Sequence, residues 1–416
     1  MSLTPAPAVA GTAVPGTSPA QPAGSRRHGA GFWLIAYAFL TAMAFTTVPA
    51  PLYSLYMARD GFSTFMVTVV FAVYAVGVVV SLLLAGHVSD WAGRKNMMTA
   101  GLVLELAAAA AFLSGLSLPV LLAARLVSGL GVGMITATAT AHLQELHSAR
   151  RPAASGQRFE LVSTAANIGG LGVGALVSGI LAQWVSGPLH TPYLVFAVLL
   201  AVAVAAVALT PETVTKPLVR PAYRPQRISL NHGNRAGYLV AAASGFAAFA
   251  VFGLFTSVAA GFVAGTLHHP SRALAGLTVF AVFGAAAAAQ SLAGRLPAAA
   301  RRSLGLLAMA AGLVILVAGM AAANLGLFLA GGIIAGAGAG VLFKTAVGSV
   351  AAMAAPAGRG EALAGIFLIA YLGLTVPVIA IGLATLSFAT VTVMAWFAAI
   401  LLILLAGVAV LARRTR

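Results

Sequence analysis

Long apolar stretches alternate with short polar ones along almost the whole chain after residue 30. Each apolar stretch is long enough to cross a bilayer, because about 20 residues at a rise of 1.5 Å span roughly 30 Å of hydrocarbon. Backbone polar groups in hydrocarbon must pair within the chain, and these stretches are too long for barrel strands, so we predict α-helices. The predicted helices 1 to 12 cover residues 31–50, 62–85, 97–116, 119–143, 159–184, 192–210, 237–263, 273–293, 303–322, 325–349, 361–385 and 388–411.

The composition agrees with a polytopic all-α membrane protein. Hydrophobic residues make up 61% of the chain and charged residues 7%, whereas soluble domains are usually about 25% charged. The spans leave no room for a catalytic domain outside the membrane. The chain has no cysteine, which excludes disulfides, thiolate metal sites and a cysteine nucleophile, and we expect neither a cofactor nor a metal.

The net charge of +16 would suggest nucleic-acid binding, but the positions of the charges argue against it. If the amino terminus is cytoplasmic, Arg59 and Arg272 lie outside, Arg125 and Lys344 lie within spans, and the other 19 of the 23 Lys and Arg residues lie inside. The positive-inside rule predicts this bias for an even number of spans with both termini in the cytoplasm. We therefore predict a multi-pass protein of the inner or plasma membrane that does not bind nucleic acid.

An offset of 207 residues relates two parts of the chain. It matches the glycines of Gly129-x-Gly131-x-Gly133 with those of Gly336-x-Gly338-x-Gly340, and Arg94-Lys95 with Arg301-Arg302. Parallel repeats of this kind form transporters whose substrate site lies between the two halves. The predicted divisions are a disordered tail (1–28), a first six-helix half (29–210), a cytoplasmic linker (211–236), a second six-helix half (237–411) and a basic tail (412–416).

A polar island, Gly86-His87-Val88-Ser89-Asp90-Trp91-Ala92-Gly93-Arg94-Lys95, separates predicted helices 2 and 3. Its G-x-x-x-D-x-x-G-R-K pattern resembles the loop between helices 2 and 3 of the major facilitator superfamily of secondary transporters. The simpler alternative is that Gly93-Arg94-Lys95 only ends a helix and carries positive-inside charges. The aspartate at this spacing favours the resemblance. In the equivalent loop of the second half, Pro297 stands where Asp90 would align.

The resemblance implies that this loop helps to close the cytoplasmic side of the transporter. Gly86 would allow close packing of helices 2 and 11, and Asp90 would lie against the positive end of helix 11, near Glu361. Arg94 would pair with Asp90 and with Glu145 at the end of helix 4. We call the set the latch residues: Gly86, Asp90, Gly93, Arg94 and Glu145.

Two ionisable residues inside predicted spans are candidates for proton coupling. Arg125 begins an R-x-x-x-G-x-G element that resembles a helix 4 motif associated with coupling in the superfamily. Glu105, near the middle of helix 3, is expected to be either neutral or paired with a cation, and Arg125 is the nearest by depth. Charges at such depth are costly, which makes both residues functional candidates. The alternatives are a structural ion pair for Arg125 and a satisfied buried group for Glu105.

Helices 5 and 10 supply the remaining candidates. Lys344 either lines a substrate cavity or extends to the membrane surface, and Asn167 either lines the cavity or bridges helices. Helix 5 resembles the glycine-rich element of drug:proton antiporters, although Ala175 replaces the proline of the Gly-Pro pair. Its small residues predict close helix packing at Gly170, Gly174 and Gly179.

Together these features predict a twelve-helix transporter of the major facilitator superfamily that works by alternating access. We expect proton-coupled efflux of small, largely apolar compounds, with proton-coupled import of a sugar or organic acid as the alternative. The expected partners are a small-molecule substrate, protons and membrane lipid, and we expect a monomer. A membrane-embedded enzyme is disfavoured because the seven acids and eight histidines form no cluster, and a sensor would normally carry an added soluble domain.

Overall fold

The computed structural model of the protein describes residues 26–86, 88–115, 117–215, 223–226, 234–355 and 358–414. Most of the predicted amino-terminal tail, much of the predicted linker and the last two residues lie outside these ranges. Within them, the regular structure is helical and contains no strand. The twelve spans, labelled α1 to α12, are Arg26–Asp60, Thr64–Ala85, Arg94–Ser114, Leu118–Arg150, Gln157–Trp184, Thr191–Ala208, Arg235–Ser257, Arg272–Ala293, Ala298–Ala321, Leu325–Met353, Arg359–Ala384 and Thr390–Arg414.

The predicted number of spans is correct, while two helices are longer than predicted. α1 continues past its two prolines through a 3₁₀ turn, Ala50–Leu52, into a further short helix, Tyr53–Asp60. Proline is tolerated there because the first positions of a helical turn need no N–H donor. α4 extends to Arg150, about two turns beyond the predicted end, so that Glu145 is part of the helix itself.

Several spans begin at a polar residue that satisfies free backbone N–H groups. The side chains of Ser63, Asn234, Ser271 and Asn324 accept hydrogen bonds from the third residue beyond them, at the starts of α2, α7, α8 and α10. These residue types are favoured at helix amino termini for this reason.

The same packing pattern occurs among the first six and the last six helices. α1, α2 and α3 all pack against α4, and α7, α8 and α9 all pack against α10. The outer pairs α3–α6 and α9–α12 correspond as well. Contacts between the two groups are made chiefly by α2 with α11 and by α5 with α8. The exact residue boundaries of the predicted halves stay a prediction.

The glycines predicted to pack α5 lie at close helix crossings. A Cβ atom built at Gly170 would be 3.0 Å from the carbonyl oxygen of Leu40 on α1, and one at Gly174 would overlap the backbone of Ala44. A Cβ at Gly179 would come within 2.5 Å of the carbonyl oxygen of Arg272 on α8. Small residues permit this approach, which supplies the van der Waals contact that helices need in lipid.

α2 and α11 meet at the end of the bundle opposite the latch residues. A Cβ atom at Gly382, close to the end of α11, would contact the side chain of Thr68 near the start of α2. Gly179 and Gly276 bring α5 and α8 together at the same end. The two groups of helices are therefore in close contact at this end, which is the predicted outer side.

Candidate functional site

A cavity of about 90 Å³ lies between the two groups of helices. Seven of its sixteen lining residues are aromatic, and the ring of Phe249 lies 4.8 Å from that of Phe343 and 5.4 Å from that of Tyr371. Among the described residues, no charged side chain lines it. The lining residues are Met43, Thr46, Thr47, Phe71, Tyr74, Thr136, Asn167, Ile168, Leu171, Phe249, Phe252, Thr256, Phe283, Phe343, Tyr371 and Leu374.

Asn167 contributes an amide to this wall from an irregular turn of α5. The turn, Ala165–Gly169, is π-helical and interrupts the α-helix between Gln157–Thr164 and Gly170–Trp184. Such single π-turns shift the side chains that follow them and occur frequently at functional sites. The sequence predicted Asn167 as a candidate cavity residue but gave no sign of the π-turn.

Lys344 does not line the central cavity, which was one of the two positions predicted for it. Its ammonium group lies 3.3 Å from Oε2 of Glu160 and donates to the carbonyl oxygen of Gln290, also at 3.3 Å. The ion pair joins α10 to the start of α5 and so links the two groups of helices. With side-chain exposures of 25% and 60%, it is a partly solvated pair of the kind that contributes about 0–1 kcal/mol.

Arg125, on α4, is buried and held by uncharged partners. One guanidinium nitrogen donates to the carbonyl oxygen of Thr46 at 2.8 Å, and another donates to the hydroxyl of Tyr53. The guanidinium carbon lies 5.7 Å from the ring centroid of Tyr53 and 5.4 Å from that of Tyr74, within the range of cation–π attraction. A carbonyl, a hydroxyl and two rings thus take the place of water around this charge.

Glu105, on α3, is fully buried close to Arg125. Its Oε2 accepts a hydrogen bond from the hydroxyl of Ser128 at 3.0 Å, whereas its Oε1 has no partner in the structure. Glu105 and Arg125 both belong to the described part of the chain and form no ion pair within 4.0 Å. The two predicted coupling residues are therefore brought near each other without direct contact.

The partners of Arg125 belong to two different cavities. Thr46 and Tyr74 line the central cavity, whereas Tyr53 lines a second cavity of about 320 Å³ between the ends of α1, α2 and α7. That second cavity lies at the end of the bundle away from the latch residues. Arg125 consequently connects the wall of the central cavity with the wall of the outer one.

Arg94 is the centre of the latch residues. Its guanidinium lies 2.6 Å from Oδ1 of Asp90, 2.8 Å from Oε1 of Glu145 and 2.6 Å from the hydroxyl of Ser89. Gly93 has a φ of +102°, which glycine adopts without strain and which directs the chain from the short helix Ser89–Ala92 into α3. The structure thus brings Asp90, Arg94 and Glu145 together, while their role in closure stays a prediction.

The resemblance predicted that Asp90 would lie against α11. The structure does not show this contact. The Asp90 side chain is 65% exposed and, in the described ranges, pairs with Arg94 and with no residue of α11. The linker segment 223–226 lies between the end of α2 and the start of α11. The backbone N–H of Gln226 donates to the carbonyl oxygen of Leu83 at 2.7 Å, and a Cβ atom at Gly360 would be 3.5 Å from the Gln226 amide nitrogen. Gly86 likewise has Leu82 of its own helix as its nearest neighbour.

Glu212 is a member of this region that the sequence analysis missed. Its carboxylate accepts hydrogen bonds from the backbone N–H groups of Arg94 and Lys95, at 3.0 and 3.1 Å, and so caps the start of α3. It also accepts from Thr213 and Val214 at 2.9 and 3.2 Å. Partial burial opposes ionisation of Glu212, but the four N–H donors outweigh it and lower its pKa below the ordinary value.

The residues next to Glu212 in the sequence do not indicate which helix it caps. The residue follows Thr210-Pro211 at the end of α6, more than a hundred residues from the helix that it caps. Buried His142 of α4 holds the same segment through a contact of 3.1 Å between its Nε2 and the carbonyl oxygen of Pro211. Only the packing of α3, α4 and α6 brings these groups together.

Comparison with known proteins identifies the family. The sequence profile described as Major Facilitator Superfamily matches residues 34–258, which is more than half of the chain. The chain belongs to the Major Facilitator Superfamily. Together with the twelve helices that are long and apolar enough to cross a membrane, this membership identifies a multi-pass membrane protein of a family of secondary transporters.

Individual relatives are more distant. An uncharacterized MFS-type transporter of Mycobacterium tuberculosis (strain ATCC 25618 / H37Rv) is 32% identical over 157 residues. The match covers 37% of this chain and 27% of the relative, so the chain spans about a quarter of that protein's length.

Two solved structures share the fold over nearly the whole chain. The nucleoside transporter NupG (D323A mutant) has a TM-score of 0.68 at 12% identity, covering 92% of this chain and 99% of its own. The human organic anion transporter MFSD10 (TETRAN) has a TM-score of 0.63 at 16% identity, with coverages of 91% and 99%. At these identities the likeness concerns the fold alone.

The pKa of Glu212 leads to a testable prediction for the Glu212→Gln variant. Because the folded-state pKa is depressed, the charged cap stabilises the protein above the unfolded-state pKa of about 4.3, and this contribution is lost as the pH falls through the folded-state value. We expect the variant to melt at a lower temperature than the native protein near pH 7, and we expect the difference to shrink as the pH falls below about 4.3 and through the folded-state pKa of Glu212. Melting temperatures of both proteins in detergent across this range test it.

Glu361→Gln is the matched control, since Glu361 has no hydrogen bond in the described part of the chain. Near pH 7 it should show a smaller difference from the native protein than Glu212→Gln does. A Glu212→Gln effect of constant size down to the lowest pH would contradict the assignment of the cap to the ionised carboxylate.

Proposed function

We propose that this transporter exports small, uncharged, largely apolar compounds in exchange for protons. The observation that supports the proposal most is the wall of the central cavity, where seven aromatic side chains and no charged one line the described part. Such a wall favours solutes that bury apolar area and stack on rings. The side that carries the basic residues is then cytoplasmic, and the protein acts as a monomer in the inner or plasma membrane.

Proton-coupled import of a small metabolite is the second candidate. It is favoured by the polar groups on the wall, since Asn167 and the hydroxyls of Thr47, Thr136 and Thr256 could bind a polar solute. The fold likeness to a nucleoside transporter is compatible with it. An organic acid is disfavoured as the cargo because no cationic side chain lines the described part of the cavity.

The proposed proton carrier is Glu105. A buried carboxylate is costly unless it is protonated or well paired, and one oxygen of Glu105 has no partner. Protonation would remove the negative charge of Glu105. The attraction of nearby Arg125 would favour deprotonation, which restores that charge. Arg125 contacts residues that line the central cavity and a residue that lines the outer cavity. A change of charge at Glu105 would therefore alter the balance between these two sets of Arg125 contacts.

Purified protein in proteoliposomes tests the function through the sign of an imposed pH gradient. For an antiporter, an acidic lumen drives accumulation, because protons leave as the compound enters. For a symporter, an acidic exterior drives it. We expect apolar aromatic compounds to accumulate with an acidic lumen. Accumulation of sugars or nucleosides with an acidic exterior would contradict the export proposal and support the second candidate.

The same assay tests the carrier with Glu105→Gln and Arg125→Ala. We expect both variants to insert and to lose gradient-driven accumulation by more than about tenfold, while Glu105→Gln keeps exchange of labelled for unlabelled substrate without a gradient. Thr138→Val, which changes another buried polar residue of α4, is the control and should accumulate normally. Native gradient-driven flux in both test variants would rule out the coupling assignment.

The latch residues are proposed to hold the cytoplasmic side shut during part of the cycle. Arg94 ties the loop after α2 to the end of α4, and the pairing with Glu145 involves two guanidinium nitrogens. Glu145 is also the less exposed acid, at 33% against 65% for Asp90, and is therefore less screened by water. We infer that Glu145 contributes more to the latch than Asp90.

Labelling of a cysteine in the cavity measures the effect of the latch residues. With Thr136→Cys in this cysteine-free chain, we expect Glu145→Gln to raise the rate of modification from the cytoplasmic side up to about fivefold, and Asp90→Asn to raise it less. Asp60→Asn, at the opposite end of the bundle, should leave the rate unchanged. Equal rates in Thr136→Cys alone and in its combinations with Glu145→Gln, Asp90→Asn and Asp60→Asn would contradict the proposed role of the latch residues.

A further inference from the structure

Three residues of the R-x-x-x-G-x-G element on α4 face the carboxyl group of Glu105. Arg125 supplies a nearby positive charge, and Ser128, one turn further along the helix, donates its hydroxyl to Oε2 at 3.0 Å. A Cβ atom at Gly131 would lie 3.2 Å from Oε1, so this glycine leaves the room that the carboxyl group occupies. Among the described residues, only Ser128 hydrogen-bonds to the carboxyl group.

Ser128 uses its hydroxyl differently from the threonines of the same helix. Thr136, Thr138 and Thr140 each donate to the carbonyl oxygen four residues earlier, at 2.7 to 2.9 Å. This local bond is a common choice for a hydroxyl side chain within a helix. Ser128 is buried as well, but it donates across the helix contact to α3. Its hydroxyl therefore serves Glu105 and not its own helix.

The second half shows that the corresponding helix crossing forms without this polar pair. At the repeat offset of 207 residues, Gly312 corresponds to Glu105 and Ala335 corresponds to Ser128. A Cβ atom at Gly312 would overlap the backbone of Ala335, so α9 and α10 cross through small residues at this point. A buried carboxyl group is costly, and packing of the two helices does not require one. The pair in the first half therefore calls for a functional explanation.

Two other charged or titratable groups face Glu105 in the described ranges, at longer range than Ser128. They are Arg125 on α4 and Tyr74 on α2. α6 also packs on α3, and its Tyr193 stacks on Phe112, about two turns beyond Glu105. Arg125 favours the ionised carboxyl without direct contact, so the direct hydrogen bond has to come from another residue.

We propose that Ser128 is a positioning residue for the proton carrier, because its hydroxyl stabilises the ionised form of Glu105 and so sets the pH at which the proton is released. This inference rests on the proposed role of Glu105 as the carrier. On protonation, a proton from water forms an O–H bond on one carboxyl oxygen. On release, that bond breaks and the proton returns to water. Without the hydroxyl, neither carboxylate oxygen has a hydrogen-bond partner among the described residues, and the proton is held to a higher pH.

Infrared spectroscopy of the purified chain during a pH titration measures the proton on Glu105 without a substrate. The carbonyl stretch of the protonated carboxyl group is assigned by its loss in Glu105→Gln. We expect this band to disappear with rising pH in the native chain. We expect Ser128→Ala to move its midpoint upward by about one to two pH units, as for the loss of a hydrogen bond to a charged group. The variant should fold, because alanine stands at the equivalent position of the second half.

Two further variants separate the hydrogen bond from packing. Ser128→Thr keeps the hydroxyl and should keep the midpoint close to the native value. Thr138→Val removes a buried hydroxyl of α4 that donates to a backbone carbonyl, and it should leave the midpoint unchanged.

The outcomes distinguish the role of Ser128 from that of Glu105. An equal midpoint in Ser128→Ala and the native chain would overturn the role of Ser128 and leave Glu105 as the carrier. A shift of equal size in Ser128→Thr or in Thr138→Val would overturn it too. A Glu105 band that is absent or does not titrate in the native chain would overturn the carrier role and, with it, the role of Ser128.

Discussion

The bilayer offers a charged side chain no water, and the arrangement of the first half depends on how one buried cation is accommodated. Arg125 is held by the carbonyl of Thr46, the hydroxyl of Tyr53 and the faces of two tyrosine rings. These uncharged partners fix α1 and α2 around α4 and leave Glu105 close by without a direct ion pair. We propose that a carboxyl without a tight ion pair can change its protonation during the transport cycle.

The two halves share a helix packing pattern but differ in their number of acidic residues. We infer that they have different roles in transport for this reason. Every acidic residue except Glu361 lies before the second half begins. The first half therefore supplies the proposed proton carrier, the latch residues and the cap at Glu212. The second half supplies five of the seven aromatic side chains that line the central cavity. We infer that duplication fixed the framework while the polar chemistry of the halves diverged.

Much of the fold was accessible from sequence, since a span is defined by its own composition and the twelve helices were predicted correctly. The pairing of Arg94 with Asp90 and Glu145 was anticipated through a motif of fixed spacing. Features that depend on contacts between distant segments of the chain were not predicted. The cap at Glu212, the pairing of Lys344 with Glu160 and the linker beside α11 each join residues more than a hundred positions apart. The π-turn at Asn167 leaves no pattern in its composition either.

Alternating access requires the two groups of helices to rock about the central cavity. Spin labels on paired cysteines measure this directly, with Ser63 and Leu386 reporting on one end of the bundle and Leu84 and Arg359 on the other. We expect substrate and proton concentration to change the two distances in opposite directions, so that the first pair separates as the second pair approaches. Distances that stay constant at either end, or that lengthen together, would contradict it.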